Sequence, residues 1–189
     1  MYTDDEKIQI ILNNVLAMLR NRQFEKDGVL ENVIEPSAKA ESQGDNIWTI
    51  SGRQGFDYAV KIVFQNITSA KQSPISDFLA NYSNYFRITV ATSFKADSSY
   101  NTEMSQIFHE HVLMQDIAAY YLQPKFVKLT TKEKQMMMEE YNVNARSISK
   151  IGSHDPMYKY FHMKKGDVYR VIRASPASGQ SIGYRIAKN

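Results

Sequence analysis

A chain of 189 residues, 43% of them hydrophobic, has room for one medium domain or two small ones, and no run approaches the ~20 apolar residues of a membrane span. Without cysteine it can form no disulfide, no thiolate zinc site and no cysteine nucleophile. Residues 1–119 carry 10 Lys and Arg against 15 Asp and Glu, and residues 120–189 carry 13 against 5, a split that predicts two domains with different partners.

The first element is a helix. Thr3 caps it, Glu6 completes a capping box, and Asp4, Asp5 and Glu6 suit its positive end. Ile8, Ile11, Leu12, Val15, Met18 and Leu19 then recur at helical spacing and leave one stripe to bury. The acidic start and amphipathic run do not read as a secretory signal, so the sequons at Asn66 and Asn81 are read as chance. Residues 36–46 are polar and lack a period, which predicts a loop. Ile47 to Ile50 and Phe56 to Phe64 predict a hairpin about Gly52–Gly55. Pro74 to Tyr85 reads as a short helix, Phe86 to Val90 as a buried strand, and 95–102 as a polar loop. A short helix ending near Phe108 and a strand from His111 to Ile117 complete a mixed α and β domain.

Pro124 marks a boundary, giving expected domains of 1–118 and 119–189. Thr130 and Glu133 form a second capping box, and Asp155-Pro156 opens another helix with its carboxylate cap and first-turn proline. Lys164 to Asp167 is a turn, and Val168 to Arg173 and Ser181 to Ile186 are alternating strands. The fold class expected is α+β.

Candidate chemistry is sparse. His109 and His111 would share one strand face, but a metal site needs a third ligand that the sequence does not specify. His154 and His162 flank a predicted helix and suit local hydrogen bonding. A metal-dependent nuclease would need an Asp on one strand and Glu-x-Lys on the next; Asp57 and Lys61 share a strand face, but no Glu-x-Lys accompanies them. No catalytic residue, metal or cofactor is expected. The remaining signal is basic: Arg146, Lys150, Lys159, Lys164, Lys165, Arg170 and Arg173 meet only Asp155 and Asp167, with Tyr158, Tyr160 and Phe161 among them. That pattern suits nucleic acid, a protein-docking surface or a solvated face alike.

Residues 124–189 resemble the C-terminal domain of the fifth subunit of eukaryotic-type RNA polymerases, a domain with a counterpart in the archaeal enzyme. The resemblance runs through Leu129 to Lys134, Tyr141, Ile148, Ile151, Asp155-Pro156, Tyr160, Lys164-Lys165-Gly166 and Val171-Ile172-Arg173 to Ser175, Gly179 and Tyr184-Arg185. Ser149 stands where the family has proline, His162 where it has glycine, and Ala177-Ser178 where Thr-Ala is usual. The first two thirds are similar only in layout.

The resemblance implies a non-catalytic polymerase subunit with a nuclease-like but degenerate jaw domain beside downstream double-stranded DNA. Its C-terminal domain would anchor it on the largest subunit, with no membrane involved. Asp155, Pro156, Lys164, Lys165, Gly166, Arg170, Arg173, Gly179, Tyr184 and Arg185 would form the docking surface, and Lys95, Ser98 and Ser99 would lie nearest DNA. The acidic jaw half implies few phosphate contacts. A cellular protein would be nuclear. Divergence in the jaw suits a polymerase of a large DNA virus, placing it in infected-cell cytoplasm and virion. A free-standing basic nucleic-acid-binding protein is the alternative.

Overall fold

The computed structural model describes residues 2–53, 55–67, 75–94 and 102–188. The chain is α+β and divides into two compact units, residues 1–20 with 33–116, and residues 21–32 with 117–189. The expected division was a single cut at 118/119. The structure instead groups residues 21–32 with the C-terminal part.

The first unit is built on a five-stranded sheet, in the order β3 (Glu41–Gly44), β4 (Ile47–Ile50), β5 (Tyr58–Ile67), β6 (Phe86–Phe94), β7 (Ser105–His109). The strands β3, β4 and β5 run antiparallel, and β5, β6 and β7 are parallel. Tyr58 to Val63 are buried on both faces except for half-buried Lys61, so β5 reads as a near-continuous apolar run. Val63, Ile67, Ala91 and Ile107 pack with Ile75 and Leu79 around helix α2 (Ser76–Asn81). Helix α1 (Asp4–Asn21) carries the expected stripe, with Ile11, Val15, Met18 and Leu19 fully buried. Its capping box is formed: the Thr3 amide donates to Glu6 at 2.8 Å and the Glu6 amide to the Thr3 hydroxyl at 3.3 Å.

Three local expectations change here. Ser105 to Phe108, read as the end of a helix, form the parallel edge strand β7, and all four are buried. The segment from His111, read as a strand, lies in the short helix α3 (Glu110–Leu113). A brief stretch buried on both faces carries no period that separates helix from strand. Within 36–46, read as a loop, Glu41–Gly44 pairs with β4 through a turn at Asp45-Asn46, whose φ values are +48° and +55°.

The second unit has a separate hairpin, β1 (Gln23–Lys26) with β2 (Val29–Asn32), and a four-stranded sheet. The sheet order is β8 (Lys125–Lys128), β10 (Val168–Ser175), β11 (Gly179–Lys188), β9 (Ser149–Gly152). On one face Leu129, Met137, Ile148, Val168 and Ile186 form a core under helix α4 (Thr131–Glu140). Phe126 and Tyr169 of the sheet meet Phe161, just beyond helix α5 (Pro156–Tyr160), with ring centroids 5.6 to 6.3 Å apart. The Thr130 capping box is complete, a device that contributes about 1 kcal/mol. Asp155 caps α5 by accepting from the Met157 amide at 2.8 Å. Among the described residues no helix is long and apolar enough to cross a membrane.

Candidate functional site

The residues singled out in the sequence sort by geometry into those that build the second unit and those it presents. Asp155 and Pro156 form the start of α5. The turn Lys164 to Asp167 is held by the Asp167 carboxylate, which accepts from the Lys164 amide at 3.0 Å and from Lys128 Nζ at 3.0 Å. Gly166 takes φ +90° there, its carbonyl accepting from Lys134 Nζ at 2.9 Å. Gly179 opens β11 at φ +72°. The side chains of Lys164 and Lys165 are exposed. His162 sits at φ +47°, a left-handed backbone with a side chain present.

The remaining site residues lie on the strand pair β10–β11, where Arg173 opposes Ser181, Val171 opposes Gly183 and Tyr169 opposes Arg185. Alternation puts Val171, Arg173, Ser181, Gly183 and Arg185 on one face. Ser149 of β9 pairs with Arg185 and extends the same row. These residues, with Tyr184, line a depression of about 160 Å³. Its cause is in the sequence: Gly183 leaves a gap in the row, and a Cβ there would meet nothing within 4 Å. Neither Arg173 nor Arg185 has an ion pair or a side-chain hydrogen bond among the described residues. From Val168 to Lys188 the strand pair carries Arg170, Arg173, Arg185 and Lys188 and no acidic residue.

On the opposite face Arg170 pairs with Tyr184 across the ladder, and its Nε is buried without a hydrogen-bond partner among the described residues. The Tyr184 ring lies 5.8 Å from that of Tyr141, and Tyr184's proximity and hydrogen bond, together with Glu140, push the Tyr141 hydroxyl above its ordinary range. Ile182 on this face is 57% exposed.

Lys95, Ser98 and Ser99 lie outside the described residues. In the first unit, His109 and His111 do not share a strand face, because the chain turns from β7 into α3 between them. Their rings stack at 5.3 Å, and Phe94 stacks on His109 at 4.1 Å. Glu110 pairs with Lys7 at 2.7 Å and accepts from Thr92 at 3.0 Å. Burial pushes its carboxyl up, but those bonds outweigh it and hold it below the usual range. Asp57, considered as a metal ligand, precedes β5 and accepts from the Gly52 amide at 3.1 Å, closing the β4–β5 connection.

Sequence reasoning missed the hairpin β1–β2 that completes the second unit. Arg22, 3% exposed, donates from Nε to the Tyr160 carbonyl at 2.7 Å and from its terminal nitrogen to the Lys159 carbonyl at 3.1 Å. Glu25 accepts from the Thr131 amide and hydroxyl at 2.9 and 2.7 Å, bonds that hold its carboxyl below the usual range. Asp27-Gly28, with φ values of +51° and +79°, was the local signal for this hairpin.

Residues 115–187 match the family described as RNA polymerase Rpb5, C-terminal domain. The chain is 38% identical to "DNA-directed RNA polymerase subunit 5" of Acanthamoeba polyphaga mimivirus over 193 aligned positions, covering 98% of this chain and 94% of that protein. It is 30% identical to "DNA-directed RNA polymerases I, II, and III subunit rpabc1" of Dictyostelium discoideum, over 68% of this chain and 55% of that one. It is 36% identical to "DNA-directed RNA polymerase subunit Rpo5" of Methanocaldococcus jannaschii, over 37% of this chain and 90% of the archaeal one.

Proposed function

Because this chain belongs to the subunit 5 family of DNA-directed RNA polymerases, we propose that it is a non-catalytic subunit that docks through its C-terminal part on the largest subunit. The observation that carries the docking reading is the β10–β11 face, where Arg173 and Arg185 flank an open depression with no acidic neighbour on either strand. An arginine at an interface makes paired, directional hydrogen bonds to a carboxylate that lysine does not reproduce. The N-terminal part lies beside downstream double-stranded DNA in this reading, touching it through Lys95, Ser98 and Ser99, and its excess of acidic residues favours few phosphate contacts. Catalysis belongs to other subunits. A relative from a large DNA virus that aligns over nearly the whole chain favours a viral polymerase, acting in infected-cell cytoplasm and virion, over a nuclear one.

The test is co-purification of tagged chain with the polymerase. Arg173→Ala together with Arg185→Ala should abolish incorporation, since truncating one partner of a buried charged pair costs roughly 2–5 kcal/mol. Normal incorporation of that double variant refutes the docking reading. The surplus of 13 basic over 5 acidic residues in 120–189 favours a second reading, a free-standing nucleic-acid-binding protein. That protein would bind duplex DNA alone, with affinity falling steeply as salt rises.

A further inference from the structure

We infer that the hollow at Gly183 is the receptor for a single carboxylate side chain of a partner polypeptide. The inference rests on the docking reading and gives that surface its ligand. Three features converge. Gly183 leaves one position of the row without a side chain, at a hollow of about 160 Å³. Arg173 and Arg185 border it, both without a charged partner among the described residues. The hydroxyls of Ser149 and Ser181 complete the rim and can donate to a carboxylate oxygen left over by the guanidinium groups.

The number and arrangement of the cations favour polypeptide over nucleic acid. A duplex presents phosphates along a rod and is held by several cations in line. Here two cations face one gap instead of standing in line. Arginine forks match the planar carboxylate in two parallel hydrogen bonds, which fixes the direction of the partner chain as well as its charge.

Gly183→Val tests the hollow without touching either arginine. Gly183 lies in a strand, valine favours strands, and its Cβ has free space, so the variant should fold with unchanged circular dichroism. Tagged Gly183→Val should bring down roughly tenfold less polymerase than the parent chain. In NMR titrations of the parent chain, glutarate should shift the Gly183 amide and the Arg173 and Arg185 Nε–H signals, and Gly183→Val should lose that response. If the double arginine variant fails to assemble while Gly183→Val assembles normally, docking stands and the hollow is not its receptor. If phosphate or a short duplex shifts those signals and glutarate does not, the carboxylate assignment is overturned.

Discussion

Arg22→Ala is the sharpest perturbation of the second unit. The guanidinium is buried and its two carbonyl acceptors belong to the last turn of α5, where a cation also complements the negative helix end. A hydrogen bond from a charged group contributes roughly 1.5–3 kcal/mol, so losing two removes about 3 kcal/mol at the low end. In a unit of this size 1 kcal/mol moves the midpoint by about 4–8 °C, which gives a drop of about 12–24 °C. Scanning calorimetry reads the midpoint, and hydrogen exchange at 156–163 reports whether the loss is local to α5. Arg22→Lys keeps the charge but concentrates its donors on one nitrogen, and should recover part of the loss. Asn21→Ala removes one neutral bond to the Tyr160 hydroxyl, worth about 1 kcal/mol, and calibrates the scale. An Arg22→Ala midpoint within about 3 °C of the parent would refute the claim that the hairpin is an integral part of this unit.

Two further outcomes concern Glu25 and Gly52. The Glu25 carboxyl is lowered in the folded state by its bonds from Thr131, so its stabilising effect is complete above its unfolded value near 4.5 and is lost as pH falls through the folded value. The Thr131 amide signal should move in that acid window, and Glu25→Gln should remove the movement. Gly52→Ala should destabilise the β4–β5 connection, because a Cβ at Gly52 would run into the Phe56 carbonyl; an unchanged melting midpoint would contradict this.

Much of the fold was legible where short-range chemistry decides it. Both capping boxes, the Asp155-Pro156 start and the β10–β11 pair are set by residues a few positions apart. The strand β7 was not legible, because Ser105 to Phe108 are covered on both faces and show no alternation. The hairpin β1–β2 was missed although Asp27-Gly28 announces it, and so was the turn at Asp45-Asn46, where both residues take positive φ. Its membership of the second unit has no local signature at all, since Arg22 and Glu25 find their partners only in the folded chain. At the candidate site the two arginines stood out by charge, but the hollow between them did not. An absent side chain becomes a feature only when the ladder sets Gly183 opposite Val171.

The separation between the hairpin and its partners also dictates an order of events during synthesis. Glu25 must wait for Thr131, 106 residues later, and Arg22 for Tyr160, 138 residues later. By then residues up to 116 have emerged, and everything that the first unit contains is available to fold. Domains commonly fold as they leave the ribosome, N-terminal portions first, and contacts of long sequence separation form slowly. Residues 21–32 therefore emerge long before their partners in the second unit, and until then β1 and β2 have only each other to pair with. The second unit cannot close on this hairpin until Thr131 and Tyr160 have been made, which leaves the hairpin without its tertiary contacts for most of synthesis.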